Sequence, residues 1–112
     1  MVVKNVEKVW GREEWLVNEP EYCAKYLYVN QGACCSMHCH PRKKETFCWV
    51  KGDLTVEIDR IPYALTKGIE PLTIMPGINH QFYGKGEENV ILEVSTHHED
   101  SDVVRLNESK SG

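Results

Sequence analysis

Short apolar runs broken by turn-forming residues constrain this chain more than any other feature. Apolar and polar residues alternate at period two over 22–30, 33–40, 45–50, 54–59, 72–75, 80–83 and 90–95. These stretches have strand length and are rich in Val, Ile, Thr and aromatics, which suit a pleated, half-buried surface. Turn signals separate them: Asn30-Gln31-Gly32, Pro41-Arg42-Lys43-Lys44, Lys51-Gly52-Asp53, Met75-Pro76-Gly77 and Tyr83-Gly84-Lys85-Gly86. Gly and Pro punctuate turns because one reaches positive φ freely and the other fixes φ near the turn value. No segment sustains a 3.6-residue period, so helices should be minor. Many short strands at near-regular spacing imply an all-β antiparallel sandwich or barrel.

A chain of 112 residues is the size of one domain, expected to span 1–112. Residues 1–20 read as an N-terminal arm, with Trp10 and Trp15 packing it against the barrel or a partner. The polar stretch 107–112 reads as a frayed tail. Hydrophobic residues at 41% allow a real core, yet so small a domain gains stability from a metal or from dimerisation. A homodimer is therefore expected.

Thirteen Lys and Arg against 17 Asp and Glu leave no electrostatic footprint for nucleic acid or anionic lipid. The alternating start, Met1 to Lys8, lacks the apolar stretch of a secretory signal, and no run approaches membrane-spanning length. A cytoplasmic protein without membrane or nucleic-acid partners is expected. Five cysteines, an odd number, point to free thiols in a reducing compartment. Cys34, Cys35, Cys39 and Cys48 form no Cys-x-x-Cys pair and read as small buried hydrophobes.

The chemistry concentrates between Gly32 and Gly52. Five residues separate Gly32 from His38-Cys39-His40, four more separate His40 from Glu45, and Gly52 follows. Residues two apart on a strand share a face, so His38 and His40 project together. The turn 41–44 then brings Glu45 close to them, and Met75-Pro76-Gly77-Ile78-Asn79 delivers His80 from a distant strand. Three imidazoles and a carboxylate suit one divalent transition metal per chain. Mn is the leading choice, with Zn, Fe, Co and Ni open, and coordination sites remain for substrate.

This pattern resembles the cupin superfamily. Its first motif, Gly…His-x-His…Glu…Gly, is matched by Gly32, His38, His40, Glu45 and Gly52. The second, built on Pro-x-Gly-x-x-His and a later Asn, is matched by Gly77 and His80. Met75 stands at the proline position and Gly84 replaces the Asn. The resemblance implies a cupin jelly-roll barrel over nearly the whole chain. Val9-Trp10-Gly11, Tyr22-Cys23-Ala24-Lys25, Ser36-Met37-His38-Cys39-His40, Lys43-Lys44-Glu45-Thr46-Phe47 and Glu93-Val94-Ser95-Thr96-His97-His98 are similar to D-lyxose isomerase-like cupins. They are more loosely similar to the cupin domain of bacterial mannose-6-phosphate isomerases. That resemblance implies an aldose–ketose isomerase or epimerase acting on a sugar or sugar phosphate. Alternatives are a non-catalytic sugar-binding cupin and an iron-dependent dioxygenase.

Aldose–ketose exchange needs a Lewis acid on two oxygens and a carboxylate base beside the carbons. Over 90–95 the alternation places Ile91, Glu93 and Ser95 on one face and the more hydrophobic Val90, Leu92 and Val94 on the other. Glu93 is expected to point into the cavity, where burial would raise its pKa and suit it to act as base. Lys43, just before Glu45, is expected to stabilise developing negative charge. Arg105 and Lys25 are candidates to hold substrate oxygens; the alternative for each lysine and for Arg105 is a solvated surface charge. Phe47 and Phe82 share the faces of Glu45 and His80 and are candidates either to stack on a sugar or to fill the barrel. His97 and His98 read as a surface loop, with the cavity mouth as the alternative. Arg42, Lys43 and Lys44 form the one basic cluster suited to a phosphate.

Overall fold

Period-two alternation buries one side of the strands that carry the core, most regularly over Cys23–Asn30, Leu54–Ile58 and Glu88–Ser95, and the buried sides face each other. The structure is a computed structural model and describes residues 4–112. Residues 1–3, the start of the expected arm, lie outside the described residues. Strands run at Lys4–Lys8 (β1), Gly11–Asn18 (β2), Cys23–Asn30 (β3), His38–Cys39 (β4), Glu45–Lys51 (β5) and Leu54–Ile58 (β6). Ile61–Leu65 (β7), Leu72–Ile74 (β8), His80–Gly84 (β9), Glu88–Ser95 (β10) and Val104–Arg105 (β11) complete the set. Among the described residues there is no helix, so none is long and apolar enough to cross a membrane.

All strand pairings are antiparallel. One sheet has six strands in the order β1-β2-β3-β10-β5-β8, and the other has five in the order β11-β4-β9-β6-β7. This is an all-β jelly-roll barrel. Between the sheets lies an apolar core of Trp10, Leu27, Val29, Leu54, Val56, Leu65, Phe82 and Ile91, among others. Trp10 meets Phe82 edge-on at 4.9 Å, so the segment read as an arm supplies core. Its strands β1 and β2 extend the larger sheet rather than lying across it.

Asn89, fully buried on β10, ties one end of the barrel together. Its Nδ2 donates to the Val29 and Gly86 carbonyls at 3.0 and 2.9 Å. Its Oδ1 accepts from the Asp53 and Gly86 backbone at 3.0 Å each. Gly52 must be glycine here: its φ is +91°, and a Cβ would stand 2.1 Å from the Glu88 carbonyl oxygen.

Two expectations change. The tail at 107–112 does not fray along its whole length. Lys110 exchanges backbone hydrogen bonds with Cys34 at 2.9 and 3.0 Å, and Asn107 Oδ1 accepts from Met37 N at 2.6 Å. The stretch read as a strand over 33–40 is paired only at His38–Cys39 and at the isolated bridge of Cys34.

Candidate metal centre

His38 on β4 sits directly opposite His80 on β9 in the strand register, and His40 follows two residues beyond His38. One ring nitrogen from each of the three lies within 4.8 Å of the others. Each ring is held by its far nitrogen. Nδ1 of His38 donates to the Ser36 carbonyl at 2.7 Å, that of His40 to the Asp102 carbonyl at 2.8 Å, and that of His80 to the Ile78 carbonyl at 2.9 Å. A carbonyl only accepts, so each Nδ1 carries the proton and each Nε2 is left as a lone-pair donor. Such anchoring of the distal nitrogen is how proteins orient imidazoles for a metal.

The Glu45 carboxylate enters the same group. Its Oε1 lies 2.7 Å from His80 Nε2, and its Oε2 lies 3.7 Å from His40 Nε2. Glu45 Oε1 and His80 Nε2 are fully buried, yet the geometry between them makes no hydrogen bond. Two buried acceptors turned on one point are costly unless a proton or a metal ion joins them. His38, His40, His80 and Glu45 therefore fit a divalent transition metal. Burial and then neighbouring His80 push His38 down to about 4. Burial and then the Lys43 cation do the same for His40, also to about 4. Both rings are therefore neutral near pH 7, as ligation requires. Burial would lower His80 too, but the adjoining Glu45 carboxylate raises it instead.

Beside the centre runs a chain of buried charges. Lys43 Nζ reaches Glu93 Oε2 at 2.9 Å, Glu45 Oε2 at 3.2 Å and His98 Nδ1 at 3.2 Å. Glu93 points inward from β10, in register with Lys25 on β3 and Phe47 on β5. The expectation that burial raises its pKa is corrected. Burial does act that way, but the Lys43 and then the Lys25 cations overcome it and hold the carboxyl well below its usual range. Lys43 moves up for the matching reason: burial opposes its charge, but Glu93 and then Glu45 more than compensate. Asp102 positions Lys43 by accepting the Arg42 and Lys43 backbone N–H groups at 2.9 and 3.0 Å.

These groups open on one cavity of about 370 Å³. Lys25, Lys43, Phe47, Phe82 and Glu93 line it beside His38, His40 and Glu45, and exposed Arg105 lies at its mouth. Phe82 also belongs to the core, and Phe47 packs 6.2 Å from the His80 ring. Lys25 and Lys43 are thus buried wall residues rather than solvated charges, being 1% and 4% exposed.

Glu13 and Trp15 also line the cavity and were not foreseen there, and His98 lines it too. Contrary to the surface-loop reading, His98 bonds Lys43 and Asp100 and meets the Trp15 ring edge-on at 5.0 Å. His97 does stay outside, near Glu19 and Glu99. Arg42 turns away toward Glu99 and Asp102, so the basic cluster of the turn does not converge on the cavity.

No protein-family model and no curated protein matches the chain. Solved structures do. KdgF from a Halomonas species aligns over 90% of this chain and 90% of its own, with TM-score 0.78 and 16% identity. The capsular polysaccharide assembling protein CapF from Staphylococcus aureus aligns over 96% of this chain and 32% of its own, with TM-score 0.85 and 18% identity. Oxalate decarboxylase from Bacillus subtilis aligns over 93% of this chain and 30% of its own, with TM-score 0.77 and 17% identity. The chain thus spans most of KdgF but about a third of the other two. All three are cupin-fold proteins. At such identities the likeness speaks for architecture alone, and it agrees with the strand order and the histidine cluster: this chain has the cupin fold.

Proposed function

We propose that the protein is a metal-dependent cupin isomerase or epimerase of the D-lyxose isomerase type, acting on a sugar or sugar phosphate. The observation that carries this reading is the juxtaposition of three Nδ1-anchored imidazoles with the buried Lys43–Glu93 pair. His38, His40, His80 and Glu45 would hold the ion, Mn first among Zn, Fe, Co and Ni. Bound there, a divalent metal supplies Lewis-acid polarisation of a substrate oxygen.

The chain's own residues supply the remainder. Glu93 is ionised and faces the cavity, so it can take a proton from carbon beside a polarised carbonyl. Its depressed pKa makes it a weak base in the resting protein. Lys43, in contact with both Glu93 and Glu45, counters negative charge as it develops on substrate oxygen. Phe47 and Phe82 close the cavity floor against water, and Arg105 at the mouth is placed to meet a substrate oxygen.

The test is turnover of a panel of pentoses, hexoses and their phosphates by Mn-loaded protein. The expected result is isomerisation that falls by about 10²–10⁴ in Glu93→Gln and disappears in His80→Ala. Metal bound at one per chain with no turnover on any sugar would overturn the isomerase reading. It would favour the sugar-binding alternative, whereas oxygen consumption by the iron form would favour the dioxygenase.

We also propose a homodimer, with the outer face of the six-stranded sheet as the contact. There Tyr26, Tyr28, Val90, Leu92 and Val94 align across β3 and β10, and Val94 is 40% exposed. Arg12 and Glu14 flank this apolar surface on β2, opposite charges that a two-fold axis can pair. Light scattering should give twice the 12.9 kDa chain mass, falling to the monomer value in Leu92→Lys.

A further inference from the structure

Lys25 is the least satisfied charge in the cavity wall. It is 1% exposed, yet among the described residues its Nζ makes a single hydrogen bond, to Glu13 Oε1 at 3.5 Å. That oxygen is already taken at 2.8 Å by the Trp15 indole N–H. The ammonium sits over the Trp15 ring at 4.0 Å, a favourable but non-directional contact. An ammonium has three N–H donors, and burying one with a single long bond is costly unless something else fills the remaining positions. Lys43 offers a contrast within the same cavity, since three acceptors within 3.2 Å saturate it.

Resting on the isomerase-type reading of the metal site, we propose that Lys25 is a carboxylate-binding residue and that the substrate is a sugar acid. Charge count and geometry both favour a monoanion. At this end of the barrel Lys25 and Lys43 face Glu13, Glu45 and Glu93, one negative charge in excess. A divalent ion on the histidines turns that into one positive charge, which one carboxylate neutralises. A phosphate dianion would overshoot the charge of these inner groups. Its expected cluster also does not converge here, because Arg42 pairs with Glu99 and Asp102 and does not line the cavity. A neutral sugar would leave the ammonium with the long 3.5 Å contact to Glu13 as its one ion pair among the described residues. At the mouth, Lys4, Lys8 and Arg105 stand against Glu99 and Asp100, a surplus of one positive charge that draws anions inward, with Lys4 Nζ lying 4.6 Å from the same Trp15 ring.

The test is equilibrium binding by calorimetry to the Zn-loaded protein, using D-glucuronate, D-glucose and D-glucose 6-phosphate as a matched set. Glucuronate should bind about tenfold or more tighter than glucose, the worth of one charge-assisted hydrogen bond in a buried site. That preference should shrink to near parity in Lys25→Gln and persist in Lys25→Arg, with thermal melting confirming that both variants fold. Should Lys25→Gln fail to fold, repeating the set with Lys25→Arg at rising salt keeps the decision open, because the preference must then weaken with ionic strength. Equal affinity for the three ligands, tighter binding of the phosphate, no measurable glucuronate binding, or a preference untouched by Lys25→Gln would overturn the proposal. The two readings separate cleanly. Turnover of neutral sugars without carboxylate preference sinks only the Lys25 assignment, and carboxylate preference without turnover sinks only the isomerase.

Discussion

The two ends of the barrel interior are built on the same strands yet obey opposite rules. On four strands a charged or titratable residue and an apolar one share the inward face, two positions apart. Lys25 gives way to Leu27 on β3, Glu93 to Ile91 on β10, Glu45 to Phe47 on β5 and His80 to Phe82 on β9. All eight are buried. The apolar end gains stability for every side chain removed from water. At the charged end, desolvation offsets much of what the ion pairs return. A fold needing only stability would carry the apolar pattern to both ends, so the charged end marks the candidate site.

Mutations at the two ends should therefore diverge. The largest effect belongs to the apolar end: Phe82→Ala removes a ring that packs on Trp10 and Phe47 and should cost about 3–5 kcal/mol in denaturant unfolding. Next comes the charged end, with the opposite sign. In metal-loaded protein, where the ion faces Glu45 in place of Lys43, Lys43→Met combined with Glu93→Leu replaces a buried ion pair by apolar volume and should leave stability unchanged or raise it by about 1–4 kcal/mol, while abolishing any turnover. A large loss of stability in that double variant would erase the contrast between the ends. A smaller change is expected for Asp102→Ala, which frees the Arg42 and Lys43 backbone groups: about 1–3 kcal/mol, together with weaker metal binding by titration.

Acidity sharpens the same contrast. His38 and His40 are held at about 4 in the folded, metal-free protein, below the ordinary value of 6.5. Between those limits the unfolded chain binds more protons, so their contribution to stability is complete above about pH 6.5 and is lost as pH falls toward 4. His80, shifted upward by Glu45, opposes part of this change. Melting temperatures of metal-free protein should therefore climb from pH 4 to 6.5. A flat profile would mean that the two rings are not desolvated as the structure places them.

The parts of this architecture that a sequence reveals are those governed by local periodicity. His38 and His40 share a face because they are two apart on a strand, and the glycine turn before His80 marks where its strand begins. Glu93 was placed inward by the same alternation, although the more hydrophobic face of its strand proves to be the outer one. Its pKa direction was not legible, because it depends on Lys25 and Lys43, which reach it from two other strands. Glu13 and Trp15 escaped notice for a related reason, since they lie on a strand read as an arm. For His98 a surface loop was preferred to the cavity mouth, and its contacts with Lys43 and Trp15 come from distant strands and turns. Strand β7 went unseen because its two-residue hairpin turn is Asp59-Arg60, both at positive φ, where Asn-Gly is the usual signal.

The account rests most heavily on a metal held by three histidines, and elemental analysis of purified protein tests it most directly. Mass spectrometry should find one divalent transition metal per chain in the wild type and almost none in His80→Ala, with both proteins folded by circular dichroism. Metal absent from the wild type after incubation with Mn, Fe, Co, Ni and Zn, or retained in full by His80→Ala, would contradict it.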